Sequence, residues 1–254
     1  MSVAAIFRWR DGELHSLDSC DMTAVTILAA DSWLVSDGLA LALELHRQRF
    51  VAGVAGRSTD ASAFWDAAIA AIPRDSDWFP RVELHSNGRL LFRLRSAPER
   101  TRSAALATWN GPDLRTTPTV KGPDLDAMLG VRTSVQPLGA HEAVLLSPDG
   151  FVIEGAYSGL LWWRGDILCG PPASLERVDS VTALTVLTLA GALGYDCHEE
   201  FVTPAELNDT ELWVVSSLHG IRIATAWGNG PALAERPGRL TTWRARLTAL
   251  RQPL

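Results

Sequence analysis

The chain has 254 residues, 47% of them hydrophobic and 20% charged, with a formal net charge of −6. This composition suits a globular protein with one large core or two smaller ones, and with only a loose basic run at Arg93, Arg95, Arg100 and Arg102 it argues against nucleic-acid binding. Three scattered cysteines, Cys20, Cys169 and Cys197, do not make a disulfide framework or a zinc site; no apolar run approaches membrane-spanning length, and residues 1–8 lack the basic start and apolar core of a secretory leader, so the cytoplasm is the expected compartment.

Residues 3–17 alternate about the turn dipeptide Asp11-Gly12 and predict a β-hairpin. A strand is expected over 32–35, ending at Asp37-Gly38. A helix over 39–54 follows, with Leu41, Leu45 and Phe50 on one face, then a second helix over 62–72. Segments 82–84 and 90–94 flank Asn87-Gly88 as another hairpin. Residues 110–124 change character: Asn110-Gly111-Pro112, Pro118 and Gly122-Pro123 mark a linker. Beyond it come a helix over 125–133 and strands over 142–146, 151–154, 159–164 and 167–169. Ser180 opens the strongest helix, 180–193, and Gly194 suits its end. Strands over 212–216 and 221–227 and a helix over 240–250 complete the chain. The expected organisation is a small α+β domain (1–113), a linker (114–124) and a larger α+β domain (125–254).

Of the 23 Lys and Arg residues, one is lysine: Lys121, at the end of the linker. Arg replaces Lys at most surfaces, because both stay charged in water. It cannot replace an amine that must lose its proton and attack an aldehyde. A sole lysine therefore suits imine chemistry with a cofactor such as pyridoxal phosphate (PLP); an Arg-biased composition with one survivor explains the count as well. Glu154 ends a strand and could hold a pyridine nitrogen protonated, or be a surface carboxylate. Ser180-Val181-Thr182 opens a helix, where free N–H groups and the dipole suit a phosphate, although Ser180 is also an ordinary N-cap. Ser216-Ser217, before His219-Gly220, could form a second phosphate-binding turn or a plain loop. Arg49, on the first-half helix with His46, could reach the phosphate or face water.

The order of these features resembles the class IV aminotransferases, the fold-type IV PLP enzymes that include branched-chain and D-amino-acid aminotransferases and 4-amino-4-deoxychorismate lyases. Lys121 precedes Glu154-Gly155-Ala156-Tyr157-Ser158-Gly159, similar to the family's E-G-x-x-S-N stretch. Ser180-Val181-Thr182-Ala183 leads into Leu189-Ala190-Gly191-Ala192-Leu193-Gly194, similar to its phosphate cup and L-A-x-x-L-G helix end. Gly139-Ala140-His141-Glu142-Ala143 resembles its G-x-D-E-A segment, the 212–221 stretch its last phosphate turn, and His46 with Arg49 its H-x-x-R helix. The chain departs at Gly159 (usually Asn), Ala183 (Arg) and His141 (Asp). It lacks the Tyr that some members place soon after the lysine; Asp126 is near that point. The family's G-D-G-x-F-E-T stretch is reduced to Asp37-Gly38-Leu39-Ala40.

The resemblance implies a two-domain α+β fold with PLP in the cleft between domains, and a homodimer. Lys121 would carry the cofactor as an aldimine and move the Cα proton of a small-molecule amine. Glu154 would hold the pyridinium. Arg49, Val181, Thr182, Ser217 and Leu218 would grip the phosphate, and Ser158 would complete the cofactor set. No metal site, nucleic-acid partner or membrane partner is expected. The S-V-T cup, the missing Tyr and the reduced stretch at 37–40 lean toward 4-amino-4-deoxychorismate lyase. Amino-acid transamination and a PLP-binding homologue without turnover are the alternatives.

Overall fold

Asp11 and Gly12 both take positive φ, 53° and 82°, the two-residue turn that matches the twist of paired strands. It joins β1 (Val3–Arg10) to β2 (Glu13–Ser16), with Arg10 opposite Glu13. This hairpin opens the computed structural model, which describes residues 3–17 and 25–254; Cys20 lies outside them. The chain forms two compact units: 1–99, 120–123 and 248–254 in the first, 100–119 and 124–247 in the second. Residues 100–113, expected with the small domain, thus run with the second unit, and Val120–Pro123 run with the first.

The first unit continues with β3 (Ile27–Ser32), β4 (Val35–Ser36), β5 (Leu39–Ala40), α1 (Leu43–Val54), α2 (Ala61–Ala70), β6 (Asp77–Trp78), β7 (Arg81–His85) and β8 (Leu90–Arg95). Its main sheet has the antiparallel order β2-β1-β8-β7-β3. Val82, Leu84 and Phe92 are fully buried and share a core with Phe50 and Val54 of α1 and Phe64 and Trp65 of α2. The strand expected at 32–35 starts earlier, at Ile27, and breaks at Trp33-Leu34. The helix expected from residue 39 starts at Leu43. Asp37 and Gly38 turn the chain at φ 51° and 72°, so Leu39-Ala40 pair back onto β4, and Ala42 at φ 49° stands before the first helical residue. A short strand at Gln252–Pro253 adds to β5, and Leu254 N–H donates to Gly38 O at 3.1 Å.

The second unit holds β9 (Ser103–Thr108), α3 (Leu125–Val135), β10 (Glu142–Leu146), β11 (Val152–Gly155), β12 (Gly159–Arg164), β13 (Ile167–Gly170), α4 (Val181–Ala192), β14 (Cys197–Glu199), β15 (Glu211–Ser216), β16 (Gly220–Gly228) and α5 (Arg239–Ala249, to Leu247 in this unit). Among the described residues its sheet runs β11-β10-β9-β16-β15-β12-β13-β14. β9 lies parallel to both β10 and β16, so its backbone is paired on both edges. Leu106, Val144, Leu160, Trp162, Leu212 and Val214 form the centre of its core. α4 begins as its sequence predicts. Ser180 Oγ accepts from Ala183 N at 3.2 Å, and past the helix Gly194 at φ 81° lets Tyr195 N–H reach Ala190 O at 3.0 Å. Among the described residues no helix is long and apolar enough to cross a membrane.

Candidate functional site

Lys121 is placed by its backbone. Its carbonyl accepts from Ala30 N of β3 at 2.7 Å. The next residue must be glycine: Gly122 has φ 135°, and a Cβ there would lie 2.6 Å from Ala30 N and 2.7 Å from Ala29 C. Val120, on the other side, packs against the first unit's core. Beside this docking point β3 carries Asp31, with no solvent exposure. Arg49 of α1 donates Nε to Asp31 Oδ2 at 2.7 Å and Nη2 to Oδ1 at 2.8 Å. His46 Nδ1 stands 2.8 Å from Oδ1.

Burial opposes charge on Asp31, but Arg49 and His46 outweigh it and hold the carboxyl well below the usual carboxylate range. Burial lowers His46. Asp31 partly offsets that, while Arg49 and Lys121 lower it further, so the imidazole is neutral at physiological pH. Arg49 is therefore not a solvent-facing helix residue: it is part-buried and anchored two-pronged to a carboxylate. Sequence reasoning missed Asp31, although a lone acid directly after the apolar run Ile27-Leu28-Ala29-Ala30 is a signal that a buried carboxylate needs a partner.

In the second unit Glu154 is in β11, paired with Leu145. Its Oε1 accepts from Arg115 Nη1 at 2.6 Å. Arg115 also went unnoticed, because a single Arg in a turn-rich stretch carries no spacing signal. After Glu154 the chain turns tightly: Gly155 N donates to Ser158 O at 2.8 Å, and Ser158 N to Gly155 O at 3.2 Å. Ser158 is 7% exposed and its hydroxyl donates to buried Glu142 Oε2 at 2.8 Å, so that proton is used within the protein. Glu142 Oε1 also accepts from Tyr157 N at 3.3 Å. Burial raises the Glu142 carboxyl, with Ser158, Arg132, Arg222 and Tyr157 pulling the other way. Glycine is required at 155, where a Cβ would fall 2.4 Å from Ser158 Oγ and 2.8 Å from Glu142 Cγ.

The turn leads into Gly159, which brings two other predicted elements together. It pairs with Val215 of β15, and a Cβ on it would stand 3.3 Å from Ser180 Cβ. The E-G-x-x-S stretch, the start of α4 and the end of β15 thus converge. Val181 and Thr182 are buried, and as first-turn residues their N–H groups have no intrahelical acceptor. Ser217 and Leu218, both half-buried, form the turn between β15 and β16, where His219 N donates to Ser216 Oγ at 3.3 Å. Of the residues singled out from sequence, Lys121 and Arg49 belong to the first unit; Glu154, Ser158, Val181, Thr182, Ser217 and Leu218 belong to the second. The residue types suit a phosphorylated pyridine aldehyde: a primary amine on a backbone docked to β3, helix-terminal N–H groups for an anion, and a carboxylate paired with a guanidinium.

Comparison with known proteins bears on this set. No curated protein matches the chain by sequence. Solved structures do match in fold. The fold IV-transaminase CpuTA1 of Curtobacterium pusillum superposes with TM-score 0.82 at 19% identity, covering 98% of each chain. The branched-chain aminotransferase of Thermoproteus uzoniensis gives 0.83 at 16% identity, over 98% of this chain and 99% of that one. A protein of Legionella pneumophila assigned as a 4-amino-4-deoxychorismate lyase gives 0.74 at 13%, over 86% and 90%. At these identities the likeness establishes the fold, the two-domain α+β fold of fold-type IV enzymes. The sequence model of the amino-transferase class IV family matches residues 28–227. That span takes in Asp31, Arg49, Lys121, Glu154, the start of α4 and the 217–218 turn, and the chain belongs to the class IV aminotransferases, a family of PLP-dependent enzymes.

Proposed function

We propose that this protein removes the Cα proton of a small-molecule amine on PLP held by Lys121, and that its reaction is elimination of pyruvate from 4-amino-4-deoxychorismate to give p-aminobenzoate. The observation that carries the cofactor role is Lys121 itself: the sole lysine of the chain, its backbone hydrogen-bonded to β3 next to the buried Asp31–His46–Arg49 cluster. Arg49, Val181, Thr182, Ser217 and Leu218 bind the phosphate, and this grip fixes orientation before chemistry. Glu154 takes the ring nitrogen, and Ser158 shapes the turn beside it. When bound, PLP supplies the electron sink for the charge released at Cα. Lys121 Nζ takes up the Cα proton and returns it as a general acid. The same reading carries the expectations of a homodimer and a cytoplasmic location.

The lean to elimination rests on the S-V-T cup, the absence of Tyr after Lys121 and the short 37–40 stretch. Amino-acid transamination is the second reading; one structural neighbour is a branched-chain aminotransferase and another is assigned as the lyase. Borohydride reduction of PLP-loaded protein, followed by peptide mapping, should place the label on Lys121; protein that takes up no PLP would refute the reading. Incubation with 4-amino-4-deoxychorismate should release pyruvate and p-aminobenzoate without a keto acid. Conversion of the cofactor to pyridoxamine phosphate by an amino acid, discharged only by a keto acid, would establish the transaminase instead. Bound PLP with silence in both assays would point to a homologue without turnover.

A further inference from the structure

Arg115 lies in the segment between β9 and α3, with a side chain only 5% exposed. Each of its guanidinium nitrogens is engaged. Nε and Nη2 reach Asp113 at 3.0 and 2.7 Å. Nη1 donates to Glu154 Oε1 at 2.6 Å and to Glu176 O at 3.0 Å. The Asp113 carboxylate also accepts from Arg115 N at 2.9 Å, so the guanidinium is fixed at its root as well as its tip. Asp113, Arg115 and Glu154 sum to one negative charge, the complement of a single bound cation.

We propose that Arg115, held by Asp113, is a positioning residue that keeps the proton shared by Glu154 and the cofactor's ring nitrogen on the nitrogen. The inference rests on the PLP reading above. In a site shielded from water, a carboxylate and a pyridine can share one proton in two ways: as an ion pair, or as a neutral acid beside a neutral base. Low dielectric favours the neutral arrangement, because separated charge is costly to bury. A third charge changes the balance. The guanidinium touches the carboxylate directly and stabilises negative charge there. Its repulsion of a cation held as that carboxylate's other partner acts over a greater distance and is weaker. The protonated ring is the form that accepts electrons, so Arg115 acts on the chemistry through Glu154 without touching substrate.

A loop staple would account for the same contacts, and the test separates the two. PLP labelled with 15N at the ring nitrogen is loaded onto wild type, Arg115→Lys, Arg115→Met and Arg115→Gln, and the 15N resonance of the bound cofactor is recorded. Wild type and Arg115→Lys, which keeps the charge, should show a pyridinium-like shift. Arg115→Met and Arg115→Gln should move toward the neutral-pyridine value, with turnover down about tenfold, the worth of one unit of proton affinity. Should Arg115→Met fail to fold, Arg115→Gln, which retains an N–H donor for Glu154, gives the same reading. A pyridinium-like shift in the uncharged variants, whatever their stability, would overturn the proposal and leave the cofactor assignment standing. Wild-type protein that binds no PLP would overturn both.

Discussion

Gly122→Ala adds one carbon where the chain has no room for it. Gly122 sits at φ 135°, a conformation nearly confined to glycine. The new Cβ would lie 2.6 Å from Ala30 N and 2.7 Å from Ala29 C. Both are backbone atoms of β3, so no side-chain rotation relieves the overlap. Relief requires residues 121–122 to lift from β3, which breaks the 2.7 Å bond from Ala30 N to Lys121 O. Backbone strain of about 1–3 kcal/mol and a lost hydrogen bond of about 1 kcal/mol together disfavour the docked state by about 2–4 kcal/mol. At about 1.4 kcal/mol per factor of ten, that is roughly thirtyfold or more. Thermal unfolding followed by circular dichroism should fall by about 5–15 °C, and PLP labelling of Lys121 should drop with it. Gly130→Ala is the control: the position is exposed on α3 with nothing within 4 Å of the added carbon, so it should be neutral or stabilising. Gly122→Ala protein with wild-type stability and wild-type labelling would show that the β3 contact is not what places the lysine.

Further perturbations probe the rest of the site. Asp31→Asn removes the buried negative charge that Arg49 Nε and Nη2 bond and should cost about 3–5 kcal/mol in urea unfolding; a change under about 1 kcal/mol would mean the cluster is not a buried ion pair. Arg49→Ala and Thr182→Ala should each weaken PLP about tenfold more than pyridoxal in equilibrium dialysis, and equal losses for the two vitamers would remove these residues from the phosphate. Burial, then Arg222, Arg132, Arg244 and Arg100, hold His219 down at about 4. The unfolded chain therefore takes up a proton near pH 6.5 that the folded chain refuses. Stability from His219 is fully present above pH 6.5 and is lost as pH falls toward 4. Urea midpoints at pH 7 and pH 5 should show the decline, and His219→Gln should reduce it; an unchanged difference would refute the assignment.

The parts of the fold that were legible carry their own local chemistry. Asp11-Gly12, Asn87-Gly88 and Gly165-Asp166 specify their turns by the positive φ at Asp11, Gly12, Gly88 and Gly165. α4 announces both ends, with Ser180 as cap and Gly194 as stop. β9 was not legible. Ser103-Ala104-Ala105-Leu106-Ala107-Thr108 is alanine-rich and does not alternate, and its strand state comes from β10 and β16 on either side. Residues 120–123 could not be assigned to the first unit from a linker-like composition, because the bond that places them comes from Ala30. The same holds in the site. Order along the chain puts Lys121, Glu154 and Ser180-Val181-Thr182 forward as candidates, whereas Asp31 and Arg115 act through partners 18 and 39 residues away. Asp31 carries one local mark, an acid at the end of an apolar run, and Arg115 carries none.

This distinction bears on the chain's departures from the family pattern. Ala183 lacks the guanidinium of the usual cup, but its N–H serves the Ser180 cap, and Val181 and Thr182 still open the helix. His141 replaces an acid, yet its Nδ1 accepts from Ala105 N at 2.9 Å, as a carboxylate could. Gly159 occupies a place where a Cβ would crowd Ser180 and Val215, so omitting the side chain relaxes the convergence of three elements. These changes leave the start of α4 and the turn into β12 in place. The 37–40 stretch differs in kind. Leu39-Ala40 pair with β4 on one side and Gln252–Pro253 on the other, and Leu254 is bonded to Gly38. The stretch on which the lean to elimination partly rests is here short and tied on both edges. The choice between elimination and transamination is therefore more informatively sought at residues 37–40 and 252–254 than among the residues proposed to bind the phosphate.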